Sequence, residues 1–232
     1  MHLSPTTWQT LALTLTLLLP STTAQTDCNP PTLDLAPILE KIEPKTATCN
    51  PQDTQCRNAT VVAPLLSSSF QKYNVTCRQE AACLVGLAML ESVNFQSMRN
   101  KDPGRAGQGT VNMQMCNFNL KWARELNNAS FPDVTGEINC LEKECKDKAT
   151  CDQVLNTVLE TERGQFSSLA WFYKKQCNKP LIKEALRNNV SACSDYLQEC
   201  IGVKPNDGGR VSLNKKAFEA FGVANATECV PL

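Results

Sequence analysis

Apolar side chains recur at helical spacing through most of this chain, and polar or Gly-rich stretches separate the runs. The strongest run is AACLVGLAMLE, in which Leu84, Leu87 and Ala88 fall at i, i+3 and i+4 and Glu91 follows at i+7. This spacing predicts a helix over residues 77–91 with a carboxylate ending its apolar stripe. Similar patterns predict helices over 33–42, 61–73, 117–126, 140–159 in two pieces, 167–176, 181–197 in one or two pieces, and 212–221. Leu169, Phe172 and Tyr173 stand at core spacing within 167–176. The last helix is expected to follow a turn at Asp207-Gly208-Gly209, to be capped at Ser212 and to end at Gly222. Alternating β-branched runs are few, so the fold is expected to be mainly α, with at most a small hairpin around 107–115.

A carboxylate ending a buried stripe is costly unless it opens into a cleft or takes a proton. Desolvation and the negative end of a helix dipole both favour the neutral acid, which is the state a general acid needs. The next segment extends that idea. Pro103, Gly104, Gly107 and Gly109 mark a tight loop, while Gln108, Thr110, Asn112, Gln114, Asn117 and Asn119 supply neutral hydrogen-bonding groups. Uncharged amides and hydroxyls suit a neutral polyhydroxylated ligand such as a sugar chain. They do not suit a phosphate, because the P-loop GK[ST] is missing.

The order LAMLES, then GRAGQGTVNMQMCNFN, resembles the lysozyme-like glycoside hydrolase superfamily. The echo is strongest toward the plant-type (family 19) chitinases and fainter toward goose-type lysozymes and lytic transglycosylases. LAWFYKKQC (169–177) resembles the family's buried Trp-Phe helix, and YLQECIGVKP (196–205) its C-terminal segment. The resemblance implies a lysozyme-like helical domain with a Gly-rich loop or small hairpin at a cleft. It places Glu91 at the catalytic acid position, Gly107 and Gly109 at the turn glycines, Gln114 at a substrate-binding glutamine, and Asn117 or Asn119 at the following asparagine. The sequence departs from the family in having GQG for GRG and extra residues before the glutamine.

Residues 1–24 read as a secretory signal, with an apolar Leu11–Leu19 core and Thr22-Thr23-Ala24 before the cleavage point. Residues 25–60 are rich in Pro, Thr, Asp and Asn and are expected to form a Cys-tied arm; 61–232 are expected to form the main domain. All 13 cysteines follow the signal, a density that reads as a disulfide framework outside the cytosol. Their odd number leaves one thiol free or paired with a partner chain. Without CxxC, neither a tetrahedral zinc site nor a dithiol oxidoreductase is expected. Sequons at Asn58, Asn74, Asn128, Asn189 and Asn225 fit the same secreted, extracellular route.

The single histidine is His2, which would leave with the signal. This removes Ser-His-Asp and Cys-His catalysis and His-ligated metal chemistry from the expectations. Lys+Arg and Asp+Glu are both 23, so no basic field points to nucleic acid or to an anionic membrane. Between Glu91 and Glu125 the one acidic residue is Asp102, the candidate base for activating water, although Lys101-Asp102-Pro103-Gly104 is also ordinary turn chemistry. The sequence reading is therefore a secreted, cofactor-free glycosidase of chitin or peptidoglycan. Glu91 and Asp102 are its catalytic pair, and Gln108, Gln114, Asn117 and Asn119 hold the sugar. The rival is a Cys-rich secreted carbohydrate-binding or effector-like protein on the same scaffold.

Overall fold

The computed structural model describes residues 33–100, 104–127 and 147–232. Leu33–Leu232 belong to one compact unit. At its centre lies α3 (Arg78–Glu91), in which every residue from Gln79 to Met89 is buried. From Ala81 to Met89 the helix is apolar on all sides because neighbours pack around it, rather than amphipathic with one wet face. Truncating a side chain such as Leu87 there costs about 2–5 kcal/mol.

The neighbours are α1 (Ala36–Ile42), α2 (Ala59–Lys72), α4 (Cys116–Asn127), α5 (Lys148–Leu159), α6 (Glu162–Trp171), α7 (Pro180–Asn188), α8 (Ala192–Tyr196) and α9 (Gly208–Ala220). The closest pairing is α3 with α9, and α2 with α6 and α4 with α5 form the other main seams. At Gly86 a Cβ would lie 2.3 Å from Oδ1 of Asn214, so the absence of a side chain lets α9 approach α3. Leu35, Leu39 and Ile42 bury α1 in the same core, which ties the described part of the expected arm, from residue 33 on, to the main body. An indole stack closes the α4–α6 side, with the Trp122 and Trp171 rings 5.3 Å apart. Trp122 Nε1 donates to the Gly164 carbonyl at 3.0 Å, and Trp171 Nε1 donates to the Glu125 carboxylate.

The mainly helical expectation holds, with differences at the ends. The first long helix begins at Ala59 because Asn58 caps it, its side chain accepting from Val61 N. The last begins at Gly208, inside the expected turn, and Ser212 is not its cap. Asp207 takes that role by accepting from the backbone N–H groups of Gly209 and Arg210. The helix expected over 167–176 starts earlier and runs into a π turn, Phe172–Gln176; α8 likewise runs into a π turn, Leu197–Ile201. A disulfide between Cys177 and Cys200 joins these two wide turns. The expected hairpin is reduced to isolated bridges, Arg99 with Gly109 and Gly109 with Gln114. The signal and residues 140–146 of the helix expected over 140–159 lie outside the described residues.

Four further disulfides link Cys49–Cys56, Cys77–Cys229, Cys83–Cys193 and Cys116–Cys151. All ten described cysteines are therefore paired, and Cys28, Cys140 and Cys145 lie outside the described residues. No helix among the described residues is long and apolar enough to cross a membrane.

Candidate functional site

The C-terminal end of α3 meets the first turn of α9. Glu91 closes α3 and is half-buried, and its Oε1 lies 2.9 Å from Nη2 of Arg210. Arg210 is held in place by the Asp207 cap, and Gly209 beside it sets no side chain against Leu90. The Arg210 guanidinium is buried beyond this pair, with Nε and Nη1 lacking hydrogen-bond partners. Glu91 is thus the acceptor of a charge-assisted hydrogen bond between two helices, not an isolated carboxyl at the end of an apolar stripe.

Immediately after Glu91 the chain reverses through a left-handed stretch. Val93, Asn94 and Phe95 have φ of 53°, 57° and 66°. For a β-branched valine this conformation is strained, and Val93 gains little in return because it is 58% exposed. Phe95 offsets the strain by burying its ring against Phe166, and Ser92 Oγ accepts from Phe95 N at 2.9 Å.

The Gly-rich loop folds on its own amides. Thr110 Oγ1 and Ser168 Oγ both donate to Asn112 Oδ1, at 2.9 and 2.8 Å. Asn112 Nδ2 then donates to Gln114 Oε1, Gln114 Nε2 to Asn119 Oδ1 at 2.7 Å, and Asn119 Nδ2 to the carbonyls of Gly107 and Gln114. Each member is buried, so the chain of amides satisfies the loop's backbone in place of water. Gly107 is required here. Its φ is +66°, and a Cβ would stand 2.7 Å from the Cys151 carbonyl, against the Cys116–Cys151 disulfide.

The residues singled out from sequence are therefore split between two settings. Gln114 and Asn119 meet in the buried network, and Gln108 pairs with Asn100 and donates to the Met113 carbonyl at 3.0 Å. Asn117 is half-buried, and its Oδ1 lacks a hydrogen-bond partner. Glu91 is held by Arg210, and Asp102 lies outside the described residues.

A second charged centre escaped the sequence reading. Glu80, fully buried in the first turn of α3, accepts from the backbone N–H groups of Thr76 and Cys77 at 3.2 Å. Its carboxylate also receives Tyr173 OH and Lys174 Nζ, each at 3.0 Å, and Arg187 Nη1 at 3.4 Å. Burial, followed by the Glu80 charge and hydrogen bond, pushes the Tyr173 phenol far above its ordinary range. Burial and the Lys174 charge push the Lys183 ammonium down, against a smaller opposing effect of Glu80. The local signal was present: Glu80 stands three residues after Cys77, the spacing of a capping box.

No family model and no solved structure matches the chain. The chain is similar to the bifunctional dioxygenase (DOX)-epoxy alcohol synthase (EAS) of Fusarium oxysporum (strain Fo5176), with 33% identity over 168 residues. The matched stretch is 71% of this chain and 12% of that relative, so the chain spans a small part of the relative's length.

Dioxygen chemistry commonly rests on iron held by imidazole, thiolate, carboxylate or phenolate. The described residues do not fit such a centre. Their cysteines are all in disulfides, the one histidine lies outside them, and no group of three His, Cys, Asp or Glu among them could hold a metal ion. Burial raises the phenols of Tyr73, Tyr173 and Tyr196, which keeps them neutral.

The similarity to a protein named for dioxygenase and epoxy alcohol synthase activities overturns the expected chitinase-like or lysozyme-like glycosidase.

Proposed function

We propose that this chain is a disulfide-stapled helical module that accompanies oxidative enzymes of the dioxygenase–epoxy alcohol synthase kind without itself housing the oxygen-activating centre. The observation that carries the reading is the pairing of all ten described cysteines. It leaves no free thiolate among the described residues to ligate iron and requires an oxidising compartment, so a secreted or lumenal location is part of the proposal. The small matched share of the relative supports an accessory role, because most of a protein named for two activities lies outside it. The finer scaffold assignment, to a lysozyme-like helical arrangement, is supported by the order of α3, the bridged loop and α4.

Two measurements test the reading. The protein from the medium of a eukaryotic host is titrated with haem and with ferrous iron, and oxygen uptake is followed. Neither a haem absorption change nor oxygen uptake is expected. Separately, the matching segment is deleted from the Fusarium oxysporum relative, and both activities in its name are assayed. Both should persist; stoichiometric iron or haem in this chain, or loss of the relative's chemistry on deletion, overturns the proposal.

A further inference from the structure

Three sequons converge on the N-terminal end of α3. Asn74 follows α2 as an exposed residue with φ of 53°. Its sequon hydroxyl, Thr76 Oγ1, accepts from Arg187 Nη1 at 2.9 Å, and the Thr76 carbonyl accepts from Leu232 N. Asn189 is exposed just beyond Arg187, at the end of α7, and its Oδ1 accepts from Ser191 N at 2.9 Å. Asn225 is exposed in the turn closed by Ala226 N and the Val223 carbonyl. The chain from there reaches Glu228, whose carbonyl accepts from Gln79 Nε2, and Cys229, which is bonded to Cys77. Each asparagine is thus within four residues of a contact with 76–79, which gathers all three around the α3 N-terminus.

We propose that Asn74, Asn189 and Asn225 carry N-linked glycans that together shield this one pole of the molecule. In each case Nδ2 forms a bond to the anomeric carbon of a lipid-pyrophosphate-linked oligosaccharide. The carbon–oxygen bond to the pyrophosphate breaks, and the amide proton leaves with that group. The glycans stand over the charged cluster beneath: Lys174 and Arg187 hold the buried Glu80 while their own side chains remain 22% and 37% exposed. Covering them protects the basic residues of α7 from attack. The opposite end, where Glu91 meets Arg210, lies about 20 Å along the α3 axis and stays uncovered. Of the other sequons, Asn58 is half-buried and caps the far end of α2, and Asn128 lies outside the described residues.

The inference rests on the extracytosolic route proposed above, and its test separates the two. Protein recovered from the medium of a eukaryotic host is released from its glycans by amidase in heavy-oxygen water, and peptides are mapped by mass spectrometry. Labelled aspartate is expected at all three positions, and native tryptic cleavage after Lys183 and Arg187 should be at least tenfold slower before glycan removal than after it. Secreted, disulfide-bonded protein with any of the three positions bare, or with unchanged cleavage, overturns the glycan pole alone. Protein retained in the cytosol with free thiols overturns the secretory route and the pole together.

Discussion

Tyr173 donates its phenolic hydrogen to Oε1 of Glu80 at 3.0 Å, across 93 residues of sequence. The same carboxylate terminates the backbone of the α3 entrance and balances Lys174 and Arg187. Replacing Glu80 with Ala strands two cations, a phenol and two N–H groups at once. The expected loss is about 3 kcal/mol, moderated because both cations reach solvent. Glu80→Gln keeps acceptors for the backbone and should cost about half as much. Urea unfolding in oxidising buffer measures both; an Ala variant within error of the parent would remove Glu80 from its place as a hub.

Gly164 and Gly202 make opposite demands on a substituting alanine. At Gly164 a Cβ would fall 1.9 Å from the Val158 carbonyl oxygen, so the helix start or the preceding turn must move. The Gly164 carbonyl also receives Trp122 Nε1, which spreads the displacement into the indole stack. Gly202 has open space around it and only its φ of +78° to defend. Gly164→Ala is expected to cost about 3 kcal/mol and Gly202→Ala about 1 kcal/mol. Thermal unfolding followed by circular dichroism ranks the two, and equal losses would contradict the packing argument.

Periodicity located the helices because each buries a stripe, and the stripe is a local property. Long-range pairing is not. Arg210 meets Glu91 from 119 residues away, and no spacing in either helix announces the partner. The amides of the Gly-rich loop misled for a different reason. Gln114 and Asn119 have the composition of a ligand-binding surface, but burial turns the same groups inward to satisfy the loop's own carbonyls. Composition cannot distinguish an amide offered to a ligand from one committed to the backbone. The start of α9 was misplaced because Gly208 and Gly209 read as a turn, although Asp207 can cap a helix through glycine N–H groups. The Cys77-to-Glu80 spacing was legible and unused, since a capping box normally opens with Ser or Thr.

The disulfides should contribute unequally. Cys77–Cys229 spans a sequence separation of 152, and Cys49–Cys56 one of 7. Chain entropy assigns about 5 kcal/mol to the long closure and about 2.5 kcal/mol to the short one. Paired Ser replacements at each bridge, compared by urea unfolding, should reproduce that order. Serine at position 77 also suits a helix N-cap, which trims the larger loss slightly. A greater loss at the short bridge would show that local strain, not loop closure, governs these links.

Alkaline pH should unfold this protein through its three tyrosines, all of them buried. Burial, reinforced by the Glu125 charge, pushes Tyr73 up from 10.0 to about 12, and Tyr173 and Tyr196 are raised further. Above pH 10 the unfolded chain releases its phenolic protons while the native chain keeps them. The native state then binds more protons, so stability falls as pH rises. This contribution is fully present below pH 10 and is lost upward through about 12 for Tyr73, and higher for the other two. With all three engaged, the slope approaches about 4 kcal/mol per pH unit. Phenolate absorbance and far-ultraviolet circular dichroism should therefore change together in a single cooperative step. A phenol that ionises near its ordinary value while the helices remain intact would show that one of these rings is reached by solvent.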